Sequence, residues 1–373
     1  MDDATSGRDL KFRALAKDLR QEISAGRWEP GAKLPTEKEL MAQRELSLTT
    51  VRRALDELAD DGLIVRRQGS GSYVSTEFRP GAGAMRTIGV LVPSATEYYP
   101  RVLAGVESAL SGASARMVLA CYHYDAVEEE RDMASLLASG IDGLIAVPDL
   151  LSAPNMQEKI ESLFDLPVPV VMLERRDFEA RISDRSEYVC TDHAGGAYDA
   201  VRHLRALGHE RIGLVCRHPN HTGNWVVQGY KDAVRDLALP ALPIDTAPAS
   251  EWSLERAEAA VHLLRKSRTT AALVFGDREA AWIEAAARRA GVQIPDDLAL
   301  VAYDDESAAY ADIPLTAVSP PKHELGRLAA ETLLQRVHGN DENVVHQITL
   351  RPPLVIRDSC GASESTRAIK EEV

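Results

Sequence analysis

The stretch "SLTTVRRALDELADDGLIVRRQGSGSYV", residues 47–74, carries the strongest structural signal in the chain. Ser47 is of the type that caps helix N-termini. Val51, Leu55 and Leu58 follow it at the spacing of one apolar helix face. Two short β runs come next, joined by "QGSG", whose glycines allow the positive φ of a hairpin turn. The stretch therefore predicts one helix followed by a small β-hairpin.

Two further helices are predicted upstream of this stretch. Apolar residues recur at helical spacing over residues 9–25. Thr36 and Glu39 form a T-x-x-E capping box, which starts a short second helix. Three helices and a hairpin indicate a winged helix-turn-helix, whose third helix enters the major groove of DNA. Winged-helix folds also serve protein contacts, so the pattern alone leaves both functions open.

The distribution of charge is compatible with DNA binding. The whole chain has a formal net charge of −14 and an isoelectric point near 5.3, but residues 1–80 hold 14 basic and 14 acidic residues. The basic side chains that we expect to cluster in this part are Lys33, Lys38, Arg44, Arg52, Arg53, Arg66 and Arg67. Phosphate contacts depend on such local clusters, so an acidic chain can still bind DNA.

Residues 11–75 resemble the DNA-binding domain of the GntR family of bacterial repressors, through "PGAKLPTEKEL", "TTVRRALDELADDGLI" and "RRQGSGSYV". We place this domain at residues 8–76. At about 100° per residue, Thr49, Arg52 and Arg53 lie on one exposed side of the third helix. The DNA contacts implied by the resemblance and by this helix face are Glu37, Lys38, Thr49, Thr50, Arg52, Arg53, Gln68 and Gly69.

Leu48 departs from the family pattern. The family usually has an arginine at this position, and such an arginine commonly reads guanine. A leucine can contact a thymine methyl group instead. The usual operator core of the family is therefore not expected to carry over unchanged.

The composition changes after the hairpin. Residues 77–86, "EFRPGAGAMR", break both periodicities and predict an interdomain linker. From Thr87 onwards, continuous apolar strands alternate with helices, which is typical of parallel sheets buried on both faces. The pattern pauses near residues 180–190 and then runs again, so we expect an α/β fold of two doubly wound lobes with a ligand cleft between them. Residues 361–373 are predicted to be a loose tail.

Residues 87–360 resemble the effector domain of the LacI/GalR family, itself similar to periplasmic sugar-binding proteins. The matching motifs are "GHERIGLV", "GVQIPDDLALVAYDD", "PLTAVSPPKHELG" and "LRPPLVIRDS". A GntR-type head on this two-lobed, periplasmic-binding-protein-like sensor is the architecture of the arabinose repressor group. The resemblance implies a ligand-responsive repressor that binds a palindromic operator as a homodimer. It favours a sugar or sugar derivative as effector, with a nucleobase-like corepressor as the alternative, and leaves the sign of the response open.

The resemblance also implies ligand contacts at strand ends that face the cleft: Tyr98, Tyr99, Glu174, Arg175, Asp277 and Asp304. Trp225 joins these candidates as an isolated tryptophan in the polar loop "RHPNHTGNWVVQGY". Sugar binding needs carboxylates and amides for hydroxyl groups and an aromatic face for C–H surface. Structural roles are the alternatives, with Asp277 as a helix N-cap and the tyrosines packed in the core.

Two other positions depart from the LacI/GalR pattern. Gly276 replaces the asparagine of an Asn-Asp pair, and Val226 replaces an arginine that often grips the ligand. Asn224, Arg217 and His218 are candidates to compensate for the missing arginine. The other interpretation is an unusual ligand.

Other classes of protein have weaker support. No nucleophile pattern such as GxSxG appears, so we expect no enzyme activity and no cofactor. Cys216, His218 and His221 are three candidate zinc ligands without a fourth, and the four cysteines lie far apart, as reduced thiols do. A transport binding protein would need export, whereas the N-terminus is polar and no apolar run of about 18 residues occurs. We therefore expect a cytoplasmic protein.

Overall fold

A computed structural model describes most of the chain. The described residues are 12, 15–16, 18–20, 22–23, 27–44, 46–67, 70–76, 85–178, 184–339 and 344–362. Residues 68 and 69, most of the predicted linker and nearly all of the predicted tail lie outside them. The chain divides near Arg86 into a small N-terminal unit and a large C-terminal unit.

The N-terminal unit is a winged helix-turn-helix. Its described residues between 12 and 23 are helical. The elements that follow are α1 (Glu37–Arg44), α2 (Leu48–Asp60), β1 (Ile64–Arg67) and β2 (Gly71–Val74), and β1 pairs with β2 in antiparallel fashion.

Both helix starts form as the sequence predicts. The Ser47 hydroxyl accepts a hydrogen bond from the backbone N–H of Thr50 at 3.3 Å. In the capping box, the Glu39 carboxylate accepts from the backbone N–H of Thr36 at 2.7 Å, and the Thr36 hydroxyl accepts from that of Glu39 at 3.3 Å. These caps fix where α1 and α2 begin.

The apolar positions of the sequence pattern form the core of this unit. Its buried residues include Phe12, Leu15, Leu19, Ile23, Leu40, Val51, Leu55, Leu58, Ile64 and Val74. Burying each large side chain contributes about 1.5–3 kcal/mol. The opposite face of α2 is left exposed, and it carries the polar residues considered below.

The C-terminal unit consists of two lobes, each built on a six-stranded sheet. The strands of the first lobe are β3 (Arg86–Val92), β4 (Ala115–Cys121), β5 (Gly143–Ala146), β6 (Val170–Leu173), β7 (Tyr188–Thr191) and β13 (Gln347–Leu350). The strands of the second lobe are β8 (Ile212–Arg217), β9 (Asp245–Ala247), β10 (Ala271–Phe275), β11 (Ala299–Tyr303), β12 (Thr316–Val318) and β14 (Leu354–Val355).

Helices cover these sheets. They are α3 (Tyr99–Ser111), α4 (Ala126–Ala138), α5 (Met156–Phe164), α6 (His193–Ala206), α7 (His221–Asp236), α8 (Leu254–Lys266), α9 (Asp277–Arg289) and α10 (Lys322–Val337). Short 3-10 turns occur at Ala249–Glu251, Ala308–Tyr310 and Asp358–Cys360. No described helix is both long enough and apolar enough to span a membrane.

The strand orders confirm the predicted doubly wound α/β class. The first sheet runs β13-β7-β6-β5-β3-β4 and the second β14-β12-β11-β10-β8-β9. The pairs β5–β6, β6–β7, β8–β10 and β10–β11 are parallel, while the edge strand β14 pairs antiparallel with β12. Parallel strands end at one edge of a sheet, which is where α/β proteins bind ligands.

The chain passes between the lobes three times. The crossings follow β7, β12 and β13, and these three segments form the hinge between the lobes. Helix α10 returns to the first lobe and packs closely on α3. A Cβ at Gly326 would lie 1.9 Å from the carbonyl oxygen of Val102, and one at Gly105 would lie 1.9 Å from that of His323. Glycine at both positions lets the two backbones touch.

Candidate ligand cavity and DNA interface

A cavity of about 340 Å³ lies where the carboxyl ends of the two sheets meet. Both lobes line it. Six of the seven candidate ligand residues are in its wall: Tyr98, Tyr99, Glu174, Arg175, Asp277 and Asp304. Residues of the wall that the sequence did not single out as ligand contacts include Glu97, His193, Phe275, Glu279 and Glu306. The structure therefore brings most of the predicted ligand residues to one place.

Trp225 does not line this cavity. It lies in the first turns of α7 and not in a loop, because Asn220 caps that helix and accepts from the N–H of Gly223 at 3.1 Å. Its ring packs at 4.3 Å from the ring of Phe178, and the guanidinium of Arg176 stacks on it at 4.1 Å. Since these two partners follow β6, Trp225 joins the second lobe to the first beside the cleft.

Glu174 is fully engaged by protein groups. Its carboxylate accepts from the backbone N–H of Thr191 at 2.8 Å and from the Thr191 hydroxyl at 2.7 Å. The Tyr98 hydroxyl also donates to it. Nε2 of His193 lies 3.2 Å from the carboxylate. Burial alone would raise the pKa of Glu174, but His193 and the bonds from Thr191 and Tyr98 lower it to about 2.

This carboxylate is part of a chain of polar groups that crosses the hinge. Nδ1 of His193 lies 3.1 Å from the hydroxyl of Tyr303, at the end of β11. The chain thus runs from Tyr98 and Glu174 in the first lobe to His193 and Tyr303 in the second. A change in the angle between the lobes would strain or break these bonds.

Arg175 offers hydrogen-bond donors to the cavity. Its guanidinium donates to the carbonyl oxygens of Pro148 at 3.2 Å and Glu174 at 2.8 Å. Among the residues that the structure describes, no carboxylate forms an ion pair with it. A guanidinium carries five N–H donors, so Arg175 keeps donors for a ligand.

Asp277 is not the N-cap of its helix. Gly276 occupies that position, and the Asp277 carboxylate instead accepts backbone N–H groups of the loop after β11, from Asp305 at 3.2 Å and Ser307 at 2.9 Å. Burial raises the pKa of Asp277 to about 6, although these N–H groups favour the carboxylate. Asp277 therefore holds the loop that carries Asp304.

Arg217 belongs to the second-lobe part of the cavity wall. Its guanidinium donates to the Asp304 carboxylate at 3.1 Å and stacks on the ring of Phe275 at 4.7 Å. Of the three residues expected to compensate for the missing arginine, Arg217 alone lines the cavity, whereas Asn224 and His218 are not part of its wall.

Zinc binding through Cys216, His218 and His221 gains no support. Within the described part of the chain, no group of three or more His, Cys, Asp or Glu side chains is arranged to hold a metal ion. Burial raises the pKa of the Cys216 thiol to about 12, so the thiolate that a metal needs is strongly disfavoured.

His221 gives the hinge region a pH-dependent stability. Burial, with the positive charge of Arg175, lowers the pKa of His221 to about 3 from its ordinary 6.5. Its Nε2 lies 3.2 Å from the carbonyl oxygen of Arg176 in the first lobe. The folded state therefore favours the neutral imidazole. The resulting contribution to stability is complete only above pH 6.5 and is lost as the pH falls below that value.

Acidification from pH 7 to pH 5 is expected to lower the unfolding free energy of the wild-type protein by about 2 kcal/mol more than that of a His221→Gln variant. The reason is that, over this pH range, His221 takes up a proton in the unfolded chain but not in the folded chain. Urea unfolding of both proteins at the two pH values measures the difference. Identical pH dependence in the two proteins would show that His221 is not held neutral.

The exposed face of the N-terminal unit carries part of the predicted DNA-contacting set. Lys38, Thr49 and Arg52 are exposed. Nε of Arg52 donates to the Glu37 carboxylate at 2.9 Å, and Arg66 donates to the same carboxylate at 2.6 Å. Glu37 thus joins the start of α1 to α2 and to the hairpin strand β1.

Other predicted contacts are placed differently. Thr50 is buried, with its hydroxyl 2.8 Å from that of Ser47, so it does not share the exposed side of Thr49. Arg53 is exposed, and its guanidinium lies over the ring of Phe12 at 4.1 Å. Leu48 is 37% exposed at the start of α2. The predicted contacts Gln68 and Gly69 lie outside the described residues.

The expected basic cluster is only partly available. Arg44 pairs with Glu22 at 2.8 Å, and Arg66 pairs with both Glu37 and Asp56. Lys33 and Arg67 make cation–π contacts with the ring of Tyr73 in the hairpin. Acidic partners therefore hold several of these cations.

Sequence comparison relates the chain to known regulators. Residues 12–74 match the bacterial regulatory proteins of the gntR family, and residues 201–360 match the periplasmic binding protein-like domain. An arabinose metabolism transcriptional repressor of Geobacillus stearothermophilus is 30% identical over 94% of this chain and 97% of its own. A ribose operon repressor of Haemophilus influenzae is 30% identical over 74% of this chain and 81% of its own.

Structural comparison gives the same picture for the large unit. A LacI family transcriptional regulator from Enterococcus faecium, with bound ribose, is 25% identical with a TM-score of 0.60, over 74% of this chain and 98% of its own. The transcription regulator CcpA of Lactococcus lactis is 21% identical with a TM-score of 0.63, over 74% of this chain and 99% of its own. These four proteins are all named as transcriptional repressors or regulators.

Proposed function

We propose that an uncharged sugar bound between the two lobes controls the affinity of this protein for operator DNA. The chain belongs to the family of transcriptional repressors that join a GntR-type DNA-binding domain to a periplasmic-binding-protein-like domain. The protein is thus a ligand-responsive transcriptional repressor without catalytic activity. The sugar, its site and the residues that contact DNA are the parts that we propose.

The composition of the cavity wall carries the proposal. Carboxylates for hydroxyl groups and rings for C–H surface face the same space of about 340 Å³, a size suited to a small ligand. The wall holds six carboxylates and three guanidinium groups. Because this excess of negative charge would repel a phosphate, a free sugar fits better than a sugar phosphate. The ribose bound to the regulator from Enterococcus faecium supports the same class.

The contacts between the lobes give the ligand a means of changing how the lobes meet, and we propose that this change affects DNA binding. The polar chain from Glu174 through His193 to Tyr303 and the packing of Trp225 on Phe178 both depend on how the lobes meet. A sugar that binds one lobe arrangement better than the other shifts the population toward that arrangement. We propose that the sugar-bound arrangement releases DNA, which makes the sugar an inducer.

The DNA side of the proposal rests on the exposed face of α2. Thr49 and Arg52 would contact base edges, and Lys38 would contact phosphate. Arg53, Gln68 and Gly69 remain proposed contacts at the edge of this surface. We further propose that the protein acts as a homodimer on a palindromic operator in the cytoplasm, since two recognition helices read half-sites about one helical turn apart.

Calorimetric titration of the full-length protein tests the ligand class. The panel contains pentoses, hexoses, their phosphates and purine bases. We expect one free sugar to bind and its phosphate to bind far more weakly. Binding of a purine base alone would overturn the sugar proposal and favour the corepressor alternative.

A further inference from the structure

We propose that Arg217 and Glu279 form a donor–acceptor pair that binds one hydroxyl group of the effector, with Arg217 donating and Glu279 accepting. This assignment rests on the proposed function, because it sets specificity within the same cavity. Glu279 is not among the ligand contacts that the family resemblance implies. Arg217 enters there only as one of three substitutes for a missing arginine.

Each of these side chains has a buried polar atom without a hydrogen bond. Nε of Arg217 and Oε2 of Glu279 have no hydrogen-bond partner among the residues that the structure describes. The Glu279 side chain is 1% exposed and that of Arg217 is 17% exposed, so bulk water does not take the place of a partner. A buried polar group without a partner is costly, and its presence in a folded protein needs a reason.

The two atoms lie next to each other. Nε of Arg217 is 3.7 Å from Oε2 of Glu279, which is close enough for an ion pair but too long for a hydrogen bond. A hydroxyl group both donates and accepts. A hydroxyl oxygen about 2.8 Å from each atom would accept from Arg217 and donate to Glu279. Both atoms are shielded from solvent, so the hydroxyl reaches them as the ligand shifts the guanidinium.

The other end of each side chain is anchored. Asp304 and the ring of Phe275 hold the Arg217 guanidinium, at 3.1 Å and 4.7 Å. Arg278 donates to Oε1 of Glu279 at 3.1 Å. These contacts limit how far each side chain moves when the ligand arrives, which lowers the entropic cost of binding.

Gly276 provides the space in which the pair meets. Its φ of +136° is one that other residues rarely adopt. A Cβ at this position would lie 2.4 Å from Oε2 of Glu279 and 2.9 Å from Nη2 of Arg217. Any larger residue would displace both side chains. Glycine in place of the usual asparagine is thus part of the same arrangement.

Two conservative variants test the pair. Glu279→Gln keeps the side-chain volume and removes the charge, while Arg217→Lys keeps the charge and removes the Nε donor. For the sugar that binds the wild-type protein, we expect each change to lower affinity about 10-fold or more. Operator affinity and circular dichroism should not change. Arg288→Gln, on the exposed side of the same helix, is the matched control and should bind the sugar normally.

Deoxy isomers of that sugar separate hydroxyl binding from a structural role. The deoxy sugar that lacks the bound hydroxyl should bind the wild type and both variants with equal affinity. The other deoxy sugars should bind the variants more weakly than the wild type, as the parent sugar does. The proposal is wrong if every isomer is affected alike or if the variants bind the parent sugar normally. If no sugar binds the wild type, the proposed function itself is wrong and this assignment falls with it.

Discussion

Replacing Asp304 by alanine is expected to lower sugar affinity about 100-fold and to abolish the operator response, while operator binding itself survives. The carboxylate lies at the end of β11 in the cavity wall and accepts from Arg217 at 3.1 Å. Its loss removes a charged hydrogen-bonding group and leaves the guanidinium without its orienting partner, which accounts for an effect of this size. Calorimetry with the sugar and anisotropy with operator DNA measure the two properties.

Asp304→Asn is the control for the backbone at this position. The φ of residue 304 is +96°, a conformation that asparagine and aspartate tolerate better than alanine. We expect the asparagine variant to lose about 10-fold in sugar affinity, since it keeps hydrogen bonding without charge. An alanine variant that still responds fully to sugar would move the ligand site elsewhere.

Replacing Arg52 by alanine is expected to cost about 1–3 kcal/mol of operator binding and to leave sugar affinity intact. Arg52 is 56% exposed on the outer face of α2, where Glu37 alone among the described residues is its ion-pair partner. On DNA the guanidinium would exchange this surface ion pair, which is worth little, for a base or phosphate contact. Fluorescence anisotropy with operator DNA at two salt concentrations measures the loss.

The salt series distinguishes the two kinds of contact. A phosphate contact predicts a smaller salt dependence in the variant, and a base contact predicts relaxed sequence preference at one position. Arg20→Ala is the matched control, because Glu57 and Asp61 hold that guanidinium elsewhere on the same unit. Unchanged operator binding by Arg52→Ala would argue against α2 as the recognition helix.

Local sequence patterns predict most of this fold. Continuous apolar runs such as β10 and β11 are buried throughout, and both capping predictions in the N-terminal unit hold. The assignment of β13 to the first lobe is harder to predict. It depends on pairing with β7, about 160 residues earlier in the chain, and no local periodicity encodes such a pairing.

The cavity is predicted less completely than the fold. Six of the residues predicted from strand ends lie in the cavity wall, because parallel strands end at a common edge. Their role as ligand contacts stays a prediction. The polar sequence around Trp225 predicts a loop, whereas Asn220 caps a helix that contains Trp225; an asparagine of this kind is a usable signal for a helix start. The sequence does not point to Glu279, because an acidic residue on a helix usually faces solvent, and only the three-dimensional structure brings it to Arg217.

The most direct test is fluorescence anisotropy of the full-length protein on labelled DNA from its own upstream region. The titration is made at two salt concentrations, without and with the sugar identified by calorimetry. We expect tight, salt-dependent binding that this sugar releases in the wild type but not in Asp304→Ala. Binding that the sugar leaves unchanged, although it occupies the cavity, would contradict the claim that the ligand between the lobes controls DNA.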